Sequence, residues 1–177
     1  MRRSEFLACS GVTVDTYKNL RNRNQLPING GDVKDEGRHT HFSIVDCLKM
    51  KMMAVLGEGI GPQASGAQWL SFWFWNRITQ SGLDDIRGLA AADILGVYHL
   101  DEGQPVTRIG NRSDLLLALQ HETAARMILL DISGAARAVL EKARALGVED
   151  EALDKLEARR RAENVSNPYG EVGQKGA

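Results

Sequence analysis

The sequence predicts a mainly α-helical protein whose second half contains a small mixed α/β module. Three observations support this fold class. Four segments before residue 82 have helix-capping residues or apolar residues at helical spacing. Beyond them, two short apolar runs flank Asp101-Glu102-Gly103, which is typical of a β-hairpin. The 177 residues are 43% hydrophobic and 25% charged, so the chain can bury a globular core.

The first two predicted helices are short and closely spaced. Residues 4–9 form the first helix, Gly11 lies in a turn, and residues 13–24 form the second helix. Thr13 is the expected N-cap of the second helix, because its side-chain oxygen can accept a hydrogen bond from a free backbone N–H. Leu26-Pro27 ends this helix. The following residues 28–41 are mostly polar, charged or glycine, and we expect a loop or a two-stranded ribbon there.

Ser43 predicts the start of a third helix, with Asp46 as its capping-box-like partner, and we expect that helix to end near residue 56. A glycine-rich break follows, and a fourth helix begins near Pro62. Aromatic residues recur in it at helical spacing and are expected to lie in the core or in a dimer contact. They are Trp69, Phe72 and Trp73, with Asn76 on the same stripe and with Leu70 and Phe74 broadening it.

The second half of the chain alternates strands and helices. The predicted elements are strands at 94–100 and 105–109, a helix at 113–123, a buried strand at 126–132 and a helix at 135–146. A charged helix is expected over 149–163, followed by a tail. We therefore divide the chain into an N-terminal module, residues 1–81, a small α/β module, residues 82–148, and a charged helix with a flexible tail, residues 149–177.

Charge and cysteine content exclude several classes of protein. The net charge is −1, so no overall basic excess indicates nucleic acid or an anionic membrane, although residues 1–60 carry +2 and the remainder −3. Any nucleic-acid role must therefore come from a local patch. The two cysteines have no disulfide-framework spacing, and neither a signal peptide nor a membrane-spanning apolar run is expected. The expected compartment is the cytoplasm.

Two short helices around Gly11, the second of them polar and basic, followed by a polar ribbon, describe a helix-turn-helix with a wing. Two runs carry a resemblance to a known family: residues 11–18, GVTVDTYK, and residues 37–46, GRHTHFSIVD. They resemble the turn, recognition helix and wing of the MerR-like winged helix-turn-helix DNA-binding proteins. The resemblance is confined to the N-terminal module and implies binding to double-stranded DNA.

The sequence departs from the family pattern at several positions. Lys18 stands where the family usually has arginine, Leu20 where it has an aromatic residue, and Asn24 where it has glycine. Asn24 can still adopt the left-handed conformation that a helix end requires. The long coiled-coil helix of the family is not evident. No cysteine follows Cys47, so the ligands of the family's metal sensors are missing and no metal sensor is expected.

A recognition helix needs polar and basic side chains that reach base edges, with flanking cations that hold phosphates. Asp15 has a second interpretation, because a carboxylate in a first turn also complements the helix dipole. The wing residues have the alternative of a solvated loop. The candidate DNA-contacting residues are Thr13, Val14, Asp15, Tyr17, Lys18, Arg21, Asn22 and Arg23 in the second helix, and Arg38, His39 and His41 in the wing.

No catalytic or metal-binding pattern is present in the sequence. His39 and His41 lack suitable thiolate partners, because Cys9 and Cys47 are expected on buried helix faces. The glycines at 57–61 follow a helix and lack the Lys-Ser/Thr ending of a phosphate loop. We therefore expect no enzyme, no cofactor and no bound metal.

The resulting hypothesis is a cytoplasmic, homodimeric MerR-like transcription regulator that binds double-stranded DNA through residues 13–23 and the wing. The α/β module is expected to mediate dimerisation, with a small-molecule effector pocket as the alternative. A phage-type architectural or packaging protein, of the excisionase or small terminase kind, is the alternative within DNA binding. An adaptor that uses the helix-turn-helix only for packing is the alternative outside it.

Overall fold

The structure is a computed structural model that describes residues 1–28, 42–60, 64–83, 85–101, 104–120 and 126–148. In this part of the chain, helices dominate and one small sheet is present. The elements are α1 Arg3–Ser10, α2 Val14–Asn22, α3 Ile44–Ile60, α4 Ala64–Gln80, α5 Ile86–Ala91, β1 Ile94–Asp101, β2 Gln104–Asn111, α6 Arg112–Leu119, β3 Met127–Asp131 and α7 Ile132–Ala145. The predicted mainly α fold with a small α/β part is confirmed. The predicted C-terminal segment, residues 149–177, lies outside the described residues.

The predicted helix starts follow from side-chain capping. The Thr13 hydroxyl oxygen accepts a hydrogen bond from the Thr16 N–H at 3.2 Å, which begins α2. A reciprocal capping box begins α3: the Asp46 carboxylate accepts from the Ser43 N–H at 2.8 Å, and the Ser43 hydroxyl oxygen accepts from the Asp46 N–H at 3.1 Å. Both caps confirm the sequence prediction.

Helix α3 continues past its predicted end. It reaches Ile60 rather than stopping near residue 56, so it includes Gly57. A β-carbon added to Gly57 would lie 4.0 Å from the Cβ of Ala67 on α4, which shows that small residues meet where these helices approach each other. Packing of α3 against α4 therefore overrides the low helix propensity of glycine.

The core is built around α3, which is apolar on nearly all sides and packs against α1, α4, α7 and β3. Its side chains Leu48, Met52 and Leu56 have no exposed surface. Two polar residues, Lys49 of α3 and Ser71 of α4, are also buried here. Lys49 is 4% exposed. The Ser71 hydroxyl donates a hydrogen bond to the backbone carbonyl of Lys49 at 2.8 Å.

Helix α4 buries only part of the stripe that the sequence predicted. Its core line runs through Ala67, Leu70, Phe74 and Ile78. On the predicted stripe, Leu70 and Phe74 are buried, Trp73 is half-buried against the core, and Phe72 is half-buried. Trp69 is 54% exposed, so a core position is wrong for Trp69. Both lines have helical spacing, and periodicity alone does not choose between two apolar faces of one helix.

Strand β1 lies in the middle of an antiparallel sheet with the order β2-β1-β3. The β1–β2 hairpin is confirmed, with Ile94 opposite Asn111 and Asp101 opposite Gln104. Strand β3 was predicted to be buried, but it is an edge strand. Its Leu130 faces the core whereas Leu129 is 47% exposed, since only one face of this edge meets the helices.

One arginine connects the ends of all three strands. Arg112, directly after β2, pairs with Asp93 before β1 at 2.8 Å and with Asp131 at the end of β3 at 2.9 Å. Burial alone would raise the pKa of Asp131. The Gly134 N–H and the Arg112 guanidinium outweigh it and hold that pKa below its ordinary value. Asp131 also caps α7 through the Gly134 N–H at 2.8 Å.

The segments on the two sides of the predicted boundary at residues 81 and 82 share one core. Helix α7 packs against α1 and α3 as well as against α5. Its Ser133 hydroxyl donates to the Leu89 carbonyl and accepts from the Ile94 N–H, both at 2.7 Å. Helix α5, which was not predicted, supplies Leu89. It has only six residues and contains Gly88, so its sequence signal is weak.

Among the described residues, no helix combines the length and the apolar character that crossing a membrane requires.

Gly96 in β1 provides a test of how tightly the sheet packs on the helices. A β-carbon at Gly96 would lie 2.7 Å from Phe74 Cε1 and 3.1 Å from Ile132 Cδ1, so Gly96→Ala should destabilise the protein by about 1–3 kcal/mol. Gly110→Ala in β2 is the matched control, because no atom lies within 4 Å of its added carbon. Urea unfolding measures both, and equal stabilities of the two variants would contradict the packing.

Lys49 provides a test of the electrostatics of the core. Its Nζ lies 5.4 Å from the centroid of the Trp75 ring and 5.8 Å from that of Phe72. Burial lowers the pKa of Lys49, and the Asp46 carboxylate acts in the opposite direction without restoring the ordinary value.

We expect Lys49→Met to stabilise the fold by about 1 kcal/mol at neutral pH, because no amine then has to be desolvated. With its pKa lowered, folded Lys49 binds a proton less readily than the unfolded chain does. The wild type should therefore gain stability as pH rises from the lowered pKa towards 10.5, and the advantage of the variant should shrink. Denaturant unfolding at several pH values measures this difference, and a constant difference would contradict the assignment.

Candidate nucleic-acid interface

Helix α2 is attached to the core by two side chains, Tyr17 and Leu20, which are its only buried residues. The Tyr17 ring is 3% exposed and meets Phe6 and Phe42 edge-on, with ring centroids 6.0 and 6.2 Å away. Phe6 and Phe42 stack on each other at 4.2 Å. The sequence placed Tyr17 among the DNA-contacting residues. The structure places its ring in the core instead, because burying an aromatic ring here holds α2 against α1 and the start of α3.

The turn between α1 and α2 positions the first residues of α2. Gly11 has a φ of 75°, a conformation that favours glycine, and its N–H donates to the Leu7 carbonyl at 3.0 Å. After the turn, the Thr13 hydroxyl caps α2 and donates to the Thr16 hydroxyl at 2.9 Å. Both threonines are exposed, so the start of α2 presents polar groups to solvent.

The remaining predicted residues of α2 form an exposed face. Val14 is 49% exposed although it is apolar. These residues, which we call the α2 face, are Thr13, Val14, Asp15, Lys18, Arg21, Asn22 and Arg23. Three of them are cationic and one, Asp15, is acidic, so the face carries a positive balance despite the net charge of −1 for the whole chain.

The end of α2 also agrees with the sequence prediction. Asn24 has a φ of 55°, which is the left-handed conformation expected there. The Gln25 N–H donates to the Leu20 carbonyl at 2.8 Å and completes the helix end. The chain therefore leaves α2 directly after Arg23, which keeps that cation at the edge of the α2 face.

Two of the cations on the α2 face are available for a ligand. Lys18 and Arg23 form no ion pair within the described part of the chain. Surface cations without an intramolecular partner can bind an anion without first breaking a salt bridge. The face thus has the electrostatic character that phosphate binding requires.

Lys51 adds a cation that sequence reasoning missed. It belongs to α3, but its Nζ lies 3.8 Å from the position of a β-carbon at Gly11, directly beside the turn that precedes α2. Lys51 lies at least 28 residues from the α2 face in sequence, in a helix whose apolar composition predicts burial in the core. A lysine within an apolar helix was the available signal, because its long side chain can carry the amine from a buried face towards solvent.

The wing residues Arg38, His39 and His41 lie outside the described residues, and so does the ribbon predicted over most of 28–41. Cys9 and Cys47 are buried, as the sequence predicted. A hydrogen bond with the Cys9 thiol, together with burial, raises the pKa of Cys47 far above its ordinary value. No group of three metal-ligating side chains occurs in the described segments.

Comparison with models of known protein families gives no match, and comparison with curated proteins gives no relative. The resemblance to MerR-like proteins therefore rests on the residues quoted from the sequence.

The cap of α2 can be tested directly. Thr13→Ala removes the acceptor of the Thr16 N–H and should destabilise the protein by about 1 kcal/mol, whereas Thr13→Ser keeps the hydroxyl and should cost less. Hydrogen exchange of the α2 amides is the measurement, with the amides of α7 as an internal reference. Equal protection of α2 in both variants would show that the cap contributes nothing.

Proposed function

We propose that this chain is a double-stranded DNA-binding protein in which α1, the Gly11 turn and α2 act as a helix-turn-helix. The observation that supports this most strongly is the division of α2 into two sides. Tyr17 and Leu20 anchor it, while the α2 face presents polar and cationic side chains to solvent. A recognition helix in the major groove packs one side against its own domain and presents polar side chains to the DNA on the other.

On this proposal, the contacts divide into two kinds. Thr13, Val14 and Asp15, in the first turn of α2, reach base edges: a threonine or valine methyl can contact a thymine methyl, and a carboxylate can accept from a cytosine amino group. Lys18, Arg21, Asn22 and Arg23 flank them and hold phosphates, which sets the register of α2 in the groove.

Lys51 and the wing extend the proposed contacts beyond α2. Lys51 stands beside the Gly11 turn and contributes a phosphate contact from α3. Arg38, His39 and His41 of the wing contact phosphate or the minor groove, as the resemblance to MerR-like proteins implies. Phosphate contacts at both ends of a short recognition helix fix its orientation as well as its position.

Among DNA-binding proteins, we propose that this chain is a cytoplasmic, homodimeric transcription regulator. Two copies of α2, one helical turn of DNA apart, would combine two short half-site contacts into one useful affinity. The β3 edge and the exposed aromatic side of α4 are the candidate self-contacting surfaces. A DNA-packaging or architectural protein would use the same α2 face. The DNA footprint of such a protein would differ from that of a regulator, because the footprint would extend beyond one pair of half-sites.

Salt-dependent titration of the full chain with duplex DNA tests the proposal. If Lys18, Arg23 and Lys51 each neutralise one phosphate, each alanine variant should lower the slope of log affinity against log salt by about 0.9. Arg108→Ala is the matched control, since it removes an exposed arginine from β2, on the sheet rather than on α2. Its slope should equal that of the wild type.

Two outcomes would contradict the proposal. A folded protein that binds no duplex, at low salt and with DNA from beside its own gene, would favour the adaptor function. Binding with the same salt slope in all three variants would place the interface elsewhere on the molecule.

A further inference from the structure

A groove of about 460 Å³ lies beneath the N-terminal half of α2, between that helix and the α3–α4 pair. Its walls are mainly apolar: Val12 and Leu20 on the α2 side, Met50, Met53 and Ala54 on α3, and Ala67 on α4. Three polar side chains also line it: Thr13 and Thr16 from α2, and Glu58 from the last turns of α3.

The size and the lining of the groove suit a small organic molecule. Ligand pockets in proteins usually have volumes of about 300–1,000 Å³, apolar walls and a few polar groups that orient the ligand. Two methionines in one wall add adaptability, because the unbranched thioether side chain fits ligands of different shape. The groove exists because α2 touches the core only through Tyr17 and Leu20, which leaves the space beside its first turn unfilled.

The charges around the groove define the ligand further. Glu58 is the one charged side chain among the described residues that line it, and within the described part of the chain it has no ion-pair partner. Lys51, near the Gly11 end, lies seven residues earlier on α3, which separates it from Glu58 by about 10 Å along the helix. At that distance salt screens the repulsion between Lys51 and a cation at Glu58.

We propose that this groove binds a small apolar amine. Its apolar body lies against Leu20, Met53 and Ala54, and its ammonium group pairs with the Glu58 carboxylate. The Thr16 hydroxyl, which accepts from Thr13 and keeps its own hydrogen, provides one hydrogen-bond donor at the opposite wall.

Such a ligand would touch α2 and the α3–α4 pair at once. It would stabilise one orientation of α2, because bound contacts on both walls add to the two side chains that now hold the helix. The consequence for DNA affinity rests on the proposed function, whereas the binding of the amine to the groove does not. A binding assay without DNA therefore tests the ligand site alone.

The experiment uses the full chain with ¹³C-labelled methionine methyl groups, titrated with 3-phenylpropylamine, 3-phenylpropanol and 3-phenylpropionate. The three probes share one apolar body and differ in charge. We expect the amine to shift the Met50 and Met53 signals in a saturable way. Met52 and Met127, which do not line the groove, should keep their positions and serve as internal controls.

Two variants test the geometry. Glu58→Gln should weaken binding of the amine about fivefold, the effect of one partly exposed ion pair, and should leave the alcohol unchanged. Glu141→Gln, on the exposed side of α7, is the matched control and should have no effect. Ala54→Leu extends a half-buried side chain into the groove and should abolish binding, with an unchanged Met127 signal as evidence that the variant is folded.

Several results would overturn the proposal. They are unchanged Met50 and Met53 signals up to the solubility limit of the amine, equal shifts at all labelled methionines, and equal affinities for the three probes. If the amine binds as expected but no duplex DNA does, the ligand site stands and the proposed function fails. If DNA binds and the amine does not, only the ligand site fails.

Discussion

The structure depends on the burial of α3 on nearly all of its sides. Its apolar side chains leave water only if other elements surround it, and α1, α4, α7 and β3 do so. Segments from both halves of the chain therefore share one core. This arrangement also buries the amine of Lys49, which lies over the rings of Phe72 and Trp75. Burial disfavours the charge of that amine.

Helix α2 takes part in the core through only two side chains, Tyr17 and Leu20. The rest of its surface is exposed, so its polar face can be reached by a ligand of extended shape. The same limited attachment creates the groove beside its first turn. The proposed DNA interface and the proposed amine site thus follow from one structural fact, and a ligand in the groove would act on the helix that the DNA would contact.

Local chemistry explains which sequence predictions were confirmed. The caps at Thr13 and Ser43, the turn at Gly11 and the left-handed Asn24 each involve residues within a few positions of one another. The β1–β2 hairpin is also local. Predictions that required knowledge of distant partners were less successful: the buried side of α4, the edge position of β3 and the role of Tyr17 all depend on residues far away in the chain.

The sequence by itself determined the mainly helical class, where most helices and strands begin, and all seven residues of the α2 face. Caps, turns and periodicity act over short distances, so they can be predicted from neighbouring residues. Only the tertiary structure decided that α3 lies at the centre and that Lys51 reaches the Gly11 turn, and only the fold opens a groove between α2 and the α3–α4 pair. These features depend on which apolar faces are buried against each other, and that depends on contacts between segments far apart in the chain.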